Sequence, residues 1–202
     1  MNLRRLVYVQ AVGDAVIPVV AFLFFEWGLY FILLYYFLDL IISEISTHFK
    51  IKKVLRFRKG HSYYKPALKR GTLLSLLLLI AFIVLCHVAL GRYATPTSFM
   101  KEFMDFLNYK ELGIPLPQWV LLIPILLLAN YQEYQMIFIR MEQFRFMLPN
   151  QLMEAKLRQN IILFAVALVS IPIIALLQPN ELILILMIII GKFIYDIMYR
   201  TP

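Results

Sequence analysis

The chain has 202 residues, of which 62% are hydrophobic and 16% charged, with a formal charge of +8 and a mean hydropathy of +0.78. A soluble domain carries roughly 25% charged residues, so water is excluded as the main solvent of this chain. Its single cysteine, Cys86, excludes an internal disulfide and a thiolate metal site, and the basic residues lack the aromatic interleaving of a single-strand groove, so no nucleic acid is expected as a partner.

The apolar residues gather into runs of the length a helix needs to cross ~30 Å of hydrocarbon, which predicts an all-α polytopic membrane helix bundle of six spans in one domain. The first span, Leu6 to Phe25, follows a basic start at Arg4 and Arg5. No small-residue cleavage site follows it, so it is expected to be retained as a span. It contains Asp14 and Pro18, and only Glu26 and Trp27 separate it from the second span, Gly28 to His48. A connection that short makes the two an antiparallel hairpin. Along the second span Tyr35, Asp39, Ser43 and Thr47 fall four residues apart, which lines them up as a polar stripe on one face.

Across Val16 to Ser43 the sequence runs Ile17-Pro18, Leu23-Phe24, Trp27, Leu33-Leu34-Tyr35-Tyr36, Asp39 and Ile41-Ile42. This resembles the opening hairpin of a family of uncharacterised bacterial multi-pass membrane proteins, with Tyr36 in place of the family's Trp and Asp39 in place of its Glu. The resemblance implies a bacterial inner membrane and no known activity. It carries over one functional group, the acid at Asp39.

Beyond the second span, Lys50 to Arg70 places nine cations in 21 residues. At about 1 kcal/mol per cation near an anionic leaflet, this loop is expected to lie on lipid headgroups through Lys50, Lys52, Lys53, Arg56, Arg58 and Lys59. The third span, Thr72 to Leu90, has His87 near its outer end, and no second histidine sits at matching depth to ligate a haem. In the following segment Phe99, Phe103, Phe106 and Leu107 recur at helical spacing beside Lys101, Glu102 and Asp105, the pattern of a helix lying in the headgroups. The fourth span, Gln118 to Ile139, holds Pro124 and a polar run in which Asn130 and Glu133 share a face. Phe144, Met147, Leu148 and Leu152, beside Glu142, Arg145 and Glu154, suggest a second surface helix interrupted by Pro149. The fifth span, Ile161 to Leu177, contains Pro172; residues 178–180 turn it into the sixth, Glu181 to Met198, which carries Lys192.

Of the 20 Lys and Arg residues, 16 fall on the side of the termini, of the 50–70 loop and of an inner loop holding Arg140, Arg145, Lys156 and Arg158, 3 (Arg92, Lys101 and Lys110) fall opposite, and Lys192 lies within a span. Positive charge resists translocation, so both termini are expected in the cytoplasm. At 1.5 Å per residue, Asp14 and Asp39 lie about 19 Å below the outer turn, Glu133 about 22 Å and Lys192 about 17 Å. One layer therefore gathers Asp14, Asp39, Glu133 and Lys192, with Tyr35 and Asn130 as polar neighbours. A shared ion-pair or proton site is one reading of that layer. The other is that Lys192 snorkels to the headgroups, Asp14 caps a shorter helix and Glu133 is wet.

No glycine-rich phosphate loop, zinc-protease motif or serine-hydrolase motif is present, and no cofactor is implied. The first expectation for function is a non-enzymatic subunit or scaffold of a membrane complex, binding a membrane-protein partner or a second copy of itself. The alternatives are a small transporter or proton-coupled permease using the intramembrane acids, and an intramembrane enzyme acting on lipid.

Overall fold

A computed structural model describes residues 3–24, 28–58, 61–93, 118–177 and 180–200, and no strand occurs among them. The long helices are α1 (Leu3–Phe24), α2 (Leu29–Arg58), α3 (His61–Tyr93), α4 (Gln118–Glu133), α6 (Pro149–Leu177) and α7 (Glu181–Arg200), with a four-residue α5 (Gln143–Phe146) between α4 and α6. The apolar runs of the sequence fall on the long helices, the fourth running on past Glu133 to Ile139, while Phe25 at the end of the first lies outside the described residues. Three of the helices contain stretches long and apolar enough to cross a membrane, at Leu29–Arg58, Leu68–Ala89 and Pro149–Ile174, and α1 holds a shorter apolar stretch, Ala11–Phe24.

α2 is the hub, packing against every other described helix, while α1 pairs with α7 and α3 with α6 around it. Its sequence explains the position. Ile32 to Phe37 is apolar or aromatic at every turn and buried throughout, and a helix apolar all round must be surrounded. Against it pack Ala21, Leu122, Leu126, Leu184, Ile185 and Ile189 from α1, α4 and α7. The outer helices show the reverse pattern. Val12, Val16 and Val20 on α1, Leu73, Leu77, Ile80, Val84 and Val88 on α3, and Leu182, Leu186 and Ile190 on α7 are all exposed. Continuous apolar surface on this scale marks a face built for a non-aqueous neighbour.

Two expectations are corrected. The segment Lys50 to Arg70 is not a loop: α2 runs on to Arg58 and α3 starts at His61, with only residues 59–60 between them outside the described structure. Lys, Arg and Leu are good helix formers, and Ile51, Val54 and Leu55 give this arm a buried apolar face despite its charge. The second correction is that Lys156 and Arg158 are not in an inner loop, because α6 begins at Pro149. Proline suits a first helical position, and the Leu148 N–H just before it donates to Gln151 Oε1 at 2.9 Å, closing half of a capping box. The fourth span is helical to its expected end at Ile139, its last stretch widening into a π-helical turn at Tyr134–Ile139, where the Arg140 N–H donates to Gln135 O at 3.0 Å. Glu142 follows with a left-handed φ of 53°, which reverses the chain into α5. The expected surface helix around Phe99 to Leu107 lies outside the described residues.

Candidate functional site

Two charged centres lie along α2. At the first, the Lys192 Nζ of α7 is 3.2 Å from Asp39 Oδ2 on α2 and 2.6 Å from Asp196 Oδ2, four residues along its own helix. The i,i+4 spacing aligns Lys192 with Asp196, and the packing of α7 on α2 brings in Asp39. Asp39 is 4% exposed and Asp196 is 2% exposed. Lys192 Nζ also stands 5.7 Å above the Tyr36 ring centroid, a cation–π distance. The charges of Asp196, Asp39 and Asp14 all bear on Tyr36, which places the buried Asp14 of α1 in the same neighbourhood. Tyr35 is buried beside them, its ring edge-on to Tyr36 at 5.4 Å.

The second centre joins α2, α3 and α6. Glu44 Oε2 accepts from the Ser75 hydroxyl at 3.1 Å and from Asn160 Nδ2 at 3.4 Å. Asn160 Nδ2 also donates to Ser75 Oγ at 2.8 Å and to Ser75 O at 3.2 Å. Lys156 Nζ donates to Ser43 Oγ at 3.0 Å and stands 3.9 Å from Glu44 Oε2. Glu44, Ser75, Lys156 and Asn160 are buried, and Ser43 is half-buried. Below this centre His48 Nε2 meets Thr72 Oγ1 at 3.2 Å, and the Thr72 hydroxyl donates to Met153 Sδ at 3.7 Å.

The four charges expected in one layer therefore separate. Asp39 and Lys192 form one ion pair, with Asp14 nearby. Glu133 goes elsewhere, pairing with Lys50 at 2.6 Å across α2 and α4, with both side chains about one-fifth exposed at 20% and 18%. Asn130, on the same face of α4, donates to its own helix at Leu126 O, 3.1 Å away.

Among the basic residues set against lipid headgroups, Lys52, Arg56 and Arg58 are exposed. Lys53 stands over the Phe144 ring at 5.2 Å, Arg58 Nη2 donates to Arg145 O at 3.2 Å, and Lys59 lies outside the described residues.

Glu44, Ser75, Lys156 and Asn160 were not singled out by the sequence reading. Glu44 gave a usable signal, since an acid inside the second span needs an account as much as Asp39 does. Lys156 and Asn160 stand one helical turn apart just before the fifth apolar run, where a cation is readily counted as loop. Among the described residues no three His, Cys, Asp or Glu side chains are grouped to hold a metal. No protein-family model, no curated protein and no solved structure matches the chain.

Chemically, one ammonium shared by two carboxylates on different helices is a protonation-sensitive tie. A proton on Asp39 leaves Lys192 with Asp196 alone.

Proposed function

We propose that this protein is a six-span bacterial inner-membrane protein with cytoplasmic termini, working as a small proton-coupled permease through Asp39, Lys192 and Asp196. The observation that carries this reading is the Lys192 ammonium held between Asp39 on α2, at 3.2 Å, and Asp196 on its own helix, at 2.6 Å. Protonation of Asp39 cancels the charge that ties α7 to α2 while Asp196 keeps the lysine paired. Loss of the proton restores the tie, so proton occupancy biases how the central helix and α7 meet. The exposed apolar faces, the 16-to-3 division of cations between the two sides and the resemblance of the first hairpin support the six-span orientation. The exposed cations of α2 then lie at anionic headgroups on the cytoplasmic face.

The test is proton entry into proteoliposomes of the full chain under an imposed membrane potential, followed with an internal pH-sensitive dye. Asp39→Asn keeps the shape and removes the charge, and it is expected to slow entry by at least about tenfold. Entry no faster than in empty vesicles, or unchanged in Asp39→Asn, overturns the permease reading. In that event a subunit or scaffold role is the reading to pursue, by purification in mild detergent and mass spectrometry of what co-purifies.

A further inference from the structure

Two acceptor oxygens of the second centre meet no donor among the described residues. Glu44 is 3% exposed and Asn160 2% exposed, yet Glu44 Oε1 and Asn160 Oδ1 have no hydrogen-bond partner among the described residues. Buried polar atoms are normally partnered, and two orphans on adjoining side chains mark a place for something that both oxygens bind. Turning the Asn160 amide over does not remove the orphan. It would aim Oδ1 at Ser75 O and the Glu44 carboxylate, both acceptors and both now served by Nδ2. Nor does Lys156 fill the gap, since its Nζ sits toward Oε2 at 3.9 Å and its hydrogen bond goes to Ser43.

We propose that Glu44 Oε1 and Asn160 Oδ1 are ligands of a site for a small monovalent cation, Na⁺, K⁺ or ammonium, and that Lys156 competes with that cation for the Glu44 charge. Both orphan atoms are hard oxygen donors, which suits alkali ions and ammonium rather than thiophilic metals. A single carboxylate suits one positive charge rather than two. The charged and titratable groups around Glu44 are accounted for helix by helix. Lys156 of α6 forms an ion pair with it. The Nδ1 of His48, on α2 itself, meets the backbone Glu44 O at 2.9 Å. Lys192 of α7 is engaged by Asp39 and Asp196, Lys50 by Glu133 of α4, and Arg145 of α5 by Glu142. Asp14 of α1 bears on Tyr36, and α3 presents the hydroxyls of Ser75 and Thr72. Lys156 is thus the group a cation at Glu44 must displace or repel.

This is a claim about binding and needs no transport, so it stands or falls separately from the permease reading. The experiment follows thermal unfolding of the full chain in mild detergent, titrated with NaCl, KCl or NH₄Cl against choline chloride at fixed ionic strength. One small cation is expected to raise the midpoint saturably, by roughly 5–10 °C at a hundredfold excess over its Kd. Glu44→Gln and Asn160→Leu are expected to abolish that increment, and Lys156→Met to lower the half-saturating concentration by about tenfold as its competing charge is lost. Equal midpoints in all four salts overturn the proposal, and that comparison needs no variant to fold. An increment that survives both Glu44→Gln and Asn160→Leu, or a half-saturation that rises in Lys156→Met, overturns it as well.

Discussion

Lys192 is held by two carboxylates, so its loss is expected to cost more than the loss of either partner. Lys192→Met strands Asp39 and Asp196 together in the interior, and an uncompensated buried charge costs about 3–5 kcal/mol. Combining it with Asp39→Asn should recover only part of that loss, because one of the two stranded charges is removed while Asp196 stays buried without its ammonium. Denaturant unfolding in detergent measures the cycle, and additive losses would show that the two side chains do not interact. Glu133 supplies the contrast. Its contact with Lys50 is shorter, at 2.6 Å, but both side chains are partly exposed. Glu133→Gln is therefore expected to shift stability by no more than about 1 kcal/mol. Depth along the helices was legible in the sequence and placed Asp39 level with Lys192. It also placed Glu133 at that level, because distance from a turn says nothing about which neighbour a side chain faces.

The six long helices could be located from hydropathy, whereas their ends could not. A window average falls where cations begin, yet α2 keeps an apolar face through Ile51, Val54 and Leu55, and the pairing of α3 with α6 begins in the charged region with Leu68 packed near Met153. That is why Lys156 read as loop and Glu44 had no visible partner. The contact also explains Gly71. A Cβ built there would lie 2.7 Å from Met153 Cγ, closer than side-chain atoms tolerate. Gly71→Val is expected to force α3 and α6 apart and cost about 1–3 kcal/mol, the usual range for overpacking. Adding Met153→Ala should relieve that strain. If Gly71→Val unfolds at the same denaturant concentration as the parent, the close approach is not a constraint on the pair.

Orientation in a membrane is a property of the whole chain, set by where its cations lie rather than by any contact between helices. Sixteen Lys and Arg residues share one side of the proposed six-span arrangement, nine of them between Lys50 and Arg70, against three on the other. The reverse orientation would carry those nine across a membrane whose potential alone opposes each by ~2.3 kcal/mol per 100 mV. The two exposed positions Arg58 and Asn180 belong to opposite sides in this arrangement. With Cys86 replaced by serine, a single cysteine at each site reports its side through a membrane-impermeant maleimide applied to intact cells. Asn180→Cys is expected to label at once, and Arg58→Cys only after the membrane is permeabilised. Labelling of Arg58→Cys in intact cells would reverse the orientation. It would also move the Glu44 centre, which lies nearer Arg58 than Asp39 does along α2, to the outer half of the bundle.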